Sequence, residues 1–168
     1  LWASMSFFDN CGRGASLIAD GGSIVRCGFN RCWFSSSHVD HGFFAGTGAT
    51  GIVDGLALTD CDLFLNAANG FISYSPSVKH VDLVGCRAAA NGQSGITMGV
   101  NGVPVNDWSA IGCVAGAYSA LPGNTLYGLF AVATPTGHRV ANNDLRGNGA
   151  GPWAGVPITS AVVGNLTA

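Results

Sequence analysis

The sequence predicts an all-β solenoid of short parallel strands, stacked in six to seven coils. Three observations carry that expectation. A marker recurs along the chain: Asn10-Cys11, Arg31-Cys32-Trp33-Phe34, Asp60-Cys61-Asp62-Leu63, Gly85-Cys86-Arg87-Ala88, Gly112-Cys113-Val114-Ala115, Asn143-Asp144-Leu145 and Gly164-Asn165 share one frame. The marker positions 11, 32, 61, 86, 113, 143 and 165 lie 21, 29, 25, 27, 30 and 22 residues apart. A second marker follows each central one: Gly42-Phe43-Phe44, Gly70-Phe71-Ile72, Gly95-Ile96-Thr97 and Gly128-Leu129-Phe130. Two markers in constant order with variable spacing describe coils whose corners absorb insertions. Finally, no segment shows the helical period over the roughly ten residues a helical repeat needs, and Gly fills 26 of 168 positions.

In chain order, Leu1–Gly22 reads as an opening coil with a turn at Gly12-Arg13-Gly14. No helix follows that turn and no Lys-Ser/Thr pair accompanies it, so it is not a phosphate loop. The plan is plainest in Val78–Pro104. There the apolar run VDLV leads to Cys86, a polar corner follows at Asn91-Gly92-Gln93-Ser94, and Gly95-Ile96-Thr97-Met98 closes the coil. Strand alternation places Cys61, Leu63 and Leu65 inward, with Asp62 and Phe64 outward. The equivalent inward residues are Cys86, Ala88 and Ala90, then Cys113, Ala115 and Ala117. Cys11, Cys32, Cys61, Cys86, Cys113, Asn143 and Asn165 are thus expected as one inward ladder. The longest insertion, Tyr118–Tyr127, carries Leu121-Pro122-Gly123-Asn124, which reads as an exposed turn. Coils spaced about 4.8 Å apart give a rod roughly 30 Å long.

A Cys/Asn position recurring in every coil resembles the inward corner ladder of right-handed parallel β-helices in the pectate-lyase-like superfamily. The resemblance spans about Phe7 to Leu166 and implies a single-stranded right-handed parallel β-helix. Within that superfamily, Val140-Ala-Asn-Asn-Asp-Leu-Arg-Gly-Asn148 followed by Val162-Val163-Gly164-Asn165-Leu166 looks like the ends of phage and prophage tail proteins. The resemblance implies a virion tail spike, fibre or head appendage that presents a rigid rod to a host surface polysaccharide. An extracellular polysaccharide lyase or hydrolase and a bacterial surface adhesin are the alternatives. The superfamily's lyases combine several acids at a calcium site with a catalytic Arg, and its hydrolases carry Asn-Thr-Asp and Gly-Asp-Asp signatures. This chain has no Glu, no tight acidic cluster and neither signature.

Hydrophobic residues make up 48% of the chain and charged residues only 10%, against about a quarter charged in average soluble domains. Outer faces with so few charges suggest covered surface, with Trp33, Phe64, Val114 and Leu129 as candidates for it. The expected partner is a second copy of the chain, a trimer by the resemblance, or other virion proteins. A net charge of −2 and the lack of a basic stripe argue against nucleic acid. No apolar segment reaches the roughly 20 residues of a membrane span. The chain begins Leu1-Trp2-Ala3 and both ends fall inside the repeat, so residues 1–168 are read as one β-helix domain of a longer protein.

Five of the six cysteines fall on the ladder, and the closest pair, Cys27 and Cys32, lacks zinc-site spacing. In-line stacked strands rarely offer the dihedral a disulfide demands. Buried free thiols are expected, without metal or cofactor.

The densest chemistry lies in Ser35-Ser-Ser-His-Val-Asp-His41. Asp40 with His38 or His41 is an acid/base candidate or a metal-ligand set; the plain alternative is a solvated corner with capping side chains. Asp60 and Asp62, near Asp54, form the one carboxylate cluster; a carboxylate pair is what glycoside hydrolysis uses. Arg87 on the next coil is placed to pair with Asp62. These acids fall on corners, where water keeps a carboxylate near its ordinary pKa; Asp40 is the exception, with His38 and His41 placed to hold it. Coil stacking brings His80 to Asp107, a contact that would raise the His pKa. Trp33, Tyr74, Tyr118 and Tyr127 are candidates for stacking on sugar rings, as are Trp2, Trp108 and Trp153; packing in interfaces or corners is the plain alternative.

Overall fold

A computed structural model describes residues 1–100, 103–132, 136–155 and 162–167. The chain winds as a parallel β-solenoid with no helix among the described residues. Its three sheets run along the rod. A seven-stranded sheet stacks Trp2–Ser4, Ser23–Asn30, Ile52–Thr59, Val78–Val84, Asn106–Ile111, Arg139–Ala141 and Val162–Val163. A four-stranded sheet stacks Phe7–Asp9, Trp33–Ser35, Asp62–Phe64 and Arg87–Ala89, continued by single bridges at Val114, Asp144 and Leu166. A six-stranded sheet stacks Ala15–Ala19, Phe43–Thr47, Phe71–Ser73, Ile96–Met98, Tyr127–Ala131 and Gly151–Ala154. About five turns are complete among the described residues, slightly fewer than the six to seven expected.

One backbone device makes the first corner. A residue in left-handed conformation ends each strand of the seven-stranded sheet: Met5, Arg31, Asp60, Gly85, Gly112, Asn142 and Gly164, with φ between 47° and 65°. Each turns the chain and points the next side chain into the core. In five turns that next residue is Cys32, Cys61, Cys86, Cys113 or Asn143, all buried. Each thiol has two carbonyls within reach of its single S–H, one two residues back and one on the preceding coil. Cys61 Sγ, for example, lies 3.4 Å from both Thr59 O and Phe29 O. The thiols of Cys113 and Cys61 on either side, together with burial, push the Cys86 thiol well above its ordinary range. All six cysteines are free.

Cys11 does not belong to this ladder. Trp33 N donates to Ser6 O as Asp62 N donates to Cys32 O, so Ser6 is the first rung and Cys11 lies on the next corner. That second corner holds a ladder of its own, Cys11, Ser37, Asn66, Asn91, Asn124 and Asn148. Asn91 shows its logic. Its Nδ2 donates to Leu63 O at 2.9 Å and Asn124 Oδ1 at 2.7 Å, while its Oδ1 accepts from Asn66 N at 3.2 Å and Asn66 Nδ2 at 2.9 Å. Every amide valence is filled inside the wall, which makes a fully buried Asn tolerable there.

The second marker is a contact requirement. A Cβ on Gly42, Gly70, Gly95 or Gly128 would lie within 3 Å of backbone oxygen on a neighbouring strand. These glycines let the third side of each coil close against the next. Behind them Phe43, Phe71, Ile96, Leu129 and Trp153 stack in register. Leu129 is therefore core and fully buried, not outer surface. Phe64 does face outward, but Trp33 covers it edge-on at 5.5 Å and Tyr118 stacks on it at 5.8 Å. Trp33 and Val114 are half-buried. The most exposed apolar side chains are instead Trp2, Met5 and Phe7 in the first coil and Val39 just past Ser37 in the second.

The inward alternation after each cysteine also stops one residue earlier than expected. Leu65 and Ala90 adopt left-handed φ of 59° and 55°, ending three-residue strands. Leu65 and Ala117 are exposed and Ala90 is half-buried. In the insertion, a hairpin bridge joins Tyr118 to Leu121 and the turn is Ser119-Ala120. Asn124 is not an exposed turn residue; it is a buried rung.

Candidate functional site

The outer face of the six-stranded sheet carries a groove of about 460 Å³. Its floor comes from one register column, Ile72, Thr97 and Phe130, on successive coils. Asn69 and Gln93 form one rim, and Tyr127 stacks on Phe130 at 6.0 Å. Apolar floor, aromatic wall and amide rim make an amphipathic trough running along the rod.

The rim is held by a network that begins at the sequence's densest corner. Arg13 Nε donates to Asp40 Oδ2 at 2.8 Å, and a second guanidinium nitrogen contacts the same oxygen. His41 Nε2 lies 2.8 Å from Asp40 Oδ1. On the other side of the ring, Asn69 N donates to His41 Nδ1 at 3.2 Å. A backbone N–H can only donate, so Nδ1 carries the lone pair and the proton sits on Nε2, facing Asp40. Asn69 then donates through Nδ2 to Gln93 Oε1 at 2.9 Å, and its Oδ1 accepts from Ser94 N and Thr97 Oγ1. Burial holds the His41 pKa below its ordinary value; Asp40 opposes that shift and Arg13 adds to it.

This geometry orients the rim. A general base needs a lone pair facing the ligand, and that of His41 is occupied by the protein's own backbone. Asp40 is likewise engaged on both oxygens. His38 is exposed and joins neither. Among the described residues no three His, Cys, Asp or Glu side chains gather into a metal-ligand set.

The other acid candidates lie elsewhere. Asp60 is exposed at the first corner. Asp62 is largely covered and pairs with Arg87, whose Nη2 donates to Oδ2 at 2.7 Å while Nε faces Oδ1 at 2.5 Å. Burial raises the Asp62 pKa, with Arg87 pulling it back, so this carboxylate is not the water-exposed corner acid expected of it. His80 stands between Lys79 and Val81, level with Asp107 in the backbone register. Its side chain bonds backward instead, to Asp54 Oδ1 at 2.6 Å.

The aromatic candidates separate as well. Tyr127 lines the groove. Tyr74 is exposed beside it, stacked on Phe44 at 5.8 Å. Trp33 lines a different recess, and Tyr118 covers Phe64 while accepting from Arg87 Nη1 at 3.2 Å. Trp108 is buried in the core against His138. The groove residues that sequence reading missed are Asn69, Gln93, Ile72, Thr97 and Phe130. Their signal was positional: each lies on the corner or strand flanking Gly70, Gly95 or Gly128.

Comparison with known proteins finds no matching family model, no matching curated sequence and no matching solved structure.

Proposed function

We propose that the chain is a non-catalytic recognition rod, a β-helical segment of a phage-like tail spike, fibre or head appendage, that holds a host surface polysaccharide in the groove on its six-stranded sheet. The observation that carries this reading is the pairing of an amphipathic trough with a fully engaged Asp40–His41 pair. Sugar rings offer apolar faces for Phe130 and Tyr127, and hydroxyls for Asn69, Gln93 and Thr97. Burial lowers the His41 pKa and favours the neutral ring, and Arg13 is neutralised by Asp40, so among the described residues an acidic sugar finds no unpaired cation on the rim. A neutral glycan is therefore the preferred ligand. Stacked strands with coil-to-coil hydrogen bonds supply the rigidity such a rod needs.

The test is binding and cleavage measured on the same neutral glycans, with Phe130→Ala as the groove variant. Binding lost in Phe130→Ala, with no new reducing or unsaturated ends, is the expected result. Cleavage abolished by Asp40→Asn in a folded protein would establish the lyase or hydrolase reading. The resemblance further supports a homotrimer, for which light scattering at micromolar concentration should give three times the chain mass; a monomer mass would remove that part of the proposal.

A further inference from the structure

A second recess, of about 420 Å³, opens on a different face, along the corner between the seven- and four-stranded sheets. Phe7 and Trp33 form its aromatic wall, with ring centroids 6.4 Å apart and planes at 37°. Trp33 is fixed edge-on against Phe64. Four charged side chains line it, and they divide into two kinds. Asp62 and Arg87 are committed to each other, and Arg87 also to Tyr118. Arg31 and Asp60 are exposed and make no side-chain ion pair or hydrogen bond among the described residues.

Arg31 and Asp60 occupy adjacent rungs, since they follow the paired residues Asn30 and Thr59. Both sit in the left-handed region, at φ 51° and 52°. The rungs above them are Gly85, Gly112, Asn142 and Gly164, the residues that region favours. Arg and Asp adopt that backbone less readily than Gly, and among the described residues neither side chain makes an internal contact that would offset the strain. Gly85 completes the recess, because a Cβ at that rung would lie 2.5 Å from Asp60 Oδ1.

We infer that this recess is a binding site for a zwitterionic group of the phosphocholine type, its quaternary ammonium against Trp33 and Phe7 beside Asp60 and its phosphate on Arg31. A cation bound over aromatic faces with a carboxylate nearby is the recognised chemistry for quaternary ammonium. An exposed guanidinium on the neighbouring rung supplies the fork that phosphate takes. Unlike charges carried on adjacent rungs, whose backbones lie about 4.8 Å apart, suit a ligand whose own charges are separated by a short ester. The site is independent of the groove on the six-stranded sheet.

Isothermal titration with phosphocholine, choline and inorganic phosphate tests it. Phosphocholine should bind at least about tenfold more tightly than either part alone, and Asp60→Asn, Arg31→Asn and Trp33→Leu should each weaken it about tenfold. Asn suits the left-handed backbone, so the first two variants should melt no lower than wild type, separating lost binding from lost fold. Phe130→Ala should leave binding unchanged. Phosphatidylcholine vesicles form a second arm: co-sedimentation that Asp60→Asn abolishes assigns the group to a lipid headgroup, whereas binding of the soluble ester alone assigns it to a non-lipid phosphocholine ester. No heat with phosphocholine up to about 10 mM, or binding indifferent to Asp60→Asn and Arg31→Asn, would overturn the inference.

Discussion

Asn91 concentrates the residue-scale energetics of the wall, because four hydrogen bonds meet at one buried amide. Asn91→Leu strands those partners without water and should cost about 3–5 kcal/mol in denaturant unfolding. Asn91→Asp is more informative. An aspartate there would face Leu63 O and Asn124 Oδ1, acceptors that a carboxylate cannot satisfy, so the fold favours its protonated form. Its folded pKa then lies above the unfolded value of about 3.9. Stability should be greatest below that value and fall as pH rises through the folded pKa. His41 gives the opposite sign. Its folded pKa is lowered by burial, so the unfolded chain binds the proton more readily. Its contribution is complete above the unfolded pKa of about 6.5 and declines as pH falls through that value. Urea unfolding of wild type and His41→Gln between pH 7.5 and 5, roughly one unit or more either side of that value, should show acid destabilisation in wild type and a reduced slope in the variant.

At the scale of elements, two glycine columns serve different ends, and alanine separates them. Gly95 has an unexceptional φ, but a Cβ would stand 2.9 Å from both Gly128 O and Asn124 Nδ2. Gly112 has open space around it but a φ of +63°. Gly112→Ala should cost about 1–2 kcal/mol, the left-handed penalty alone. Gly95→Ala should cost more than that, because the stacked coils must separate. Equal costs, read from urea midpoints, would show that the close approach at Gly95 relaxes freely. Both columns had a sequence signature. Gly95 belongs to the recurring Gly-apolar marker, and Gly112 precedes a ladder cysteine. The Asn ladder was equally present as a spacing: Asn66, Asn91 and Asn124 each stand four residues before Gly70, Gly95 and Gly128. It was obscured because its first two rungs are Cys11 and Ser37. Cys11 was drawn to the other ladder, whose true first rung is Ser6, a residue with no distinguishing chemistry. Strand length was hidden for a different reason. Leu65 and Ala90 continue an apolar alternation, and nothing in their identity announces the left-handed conformation that turns them outward.

For the whole molecule, coil stacking was legible because it repeats, and the site was less so because it is built once. Register alone put Arg87 beside Asp62 correctly. Register also levelled His80 with Asp107, yet the imidazole bonds back to Asp54, a choice of rotamer that no spacing encodes. The groove depends on side chains from successive coils, Asn69 and Gln93 on the rim and Ile72, Thr97 and Phe130 on the floor. Their convergence follows only once the coils are in register. The proposed role of this rod is to bind a neutral glycan and leave it intact. The most direct measurement is saturation-transfer NMR on a panel of neutral and acidic surface oligosaccharides, with the same samples followed for cleavage. Saturable contact with a neutral glycan, lost in Phe130→Ala and leaving the glycan uncleaved, is the predicted result. Turnover of any bound glycan that disappears in Asp40→Asn, or contact that survives Phe130→Ala unchanged, would contradict it.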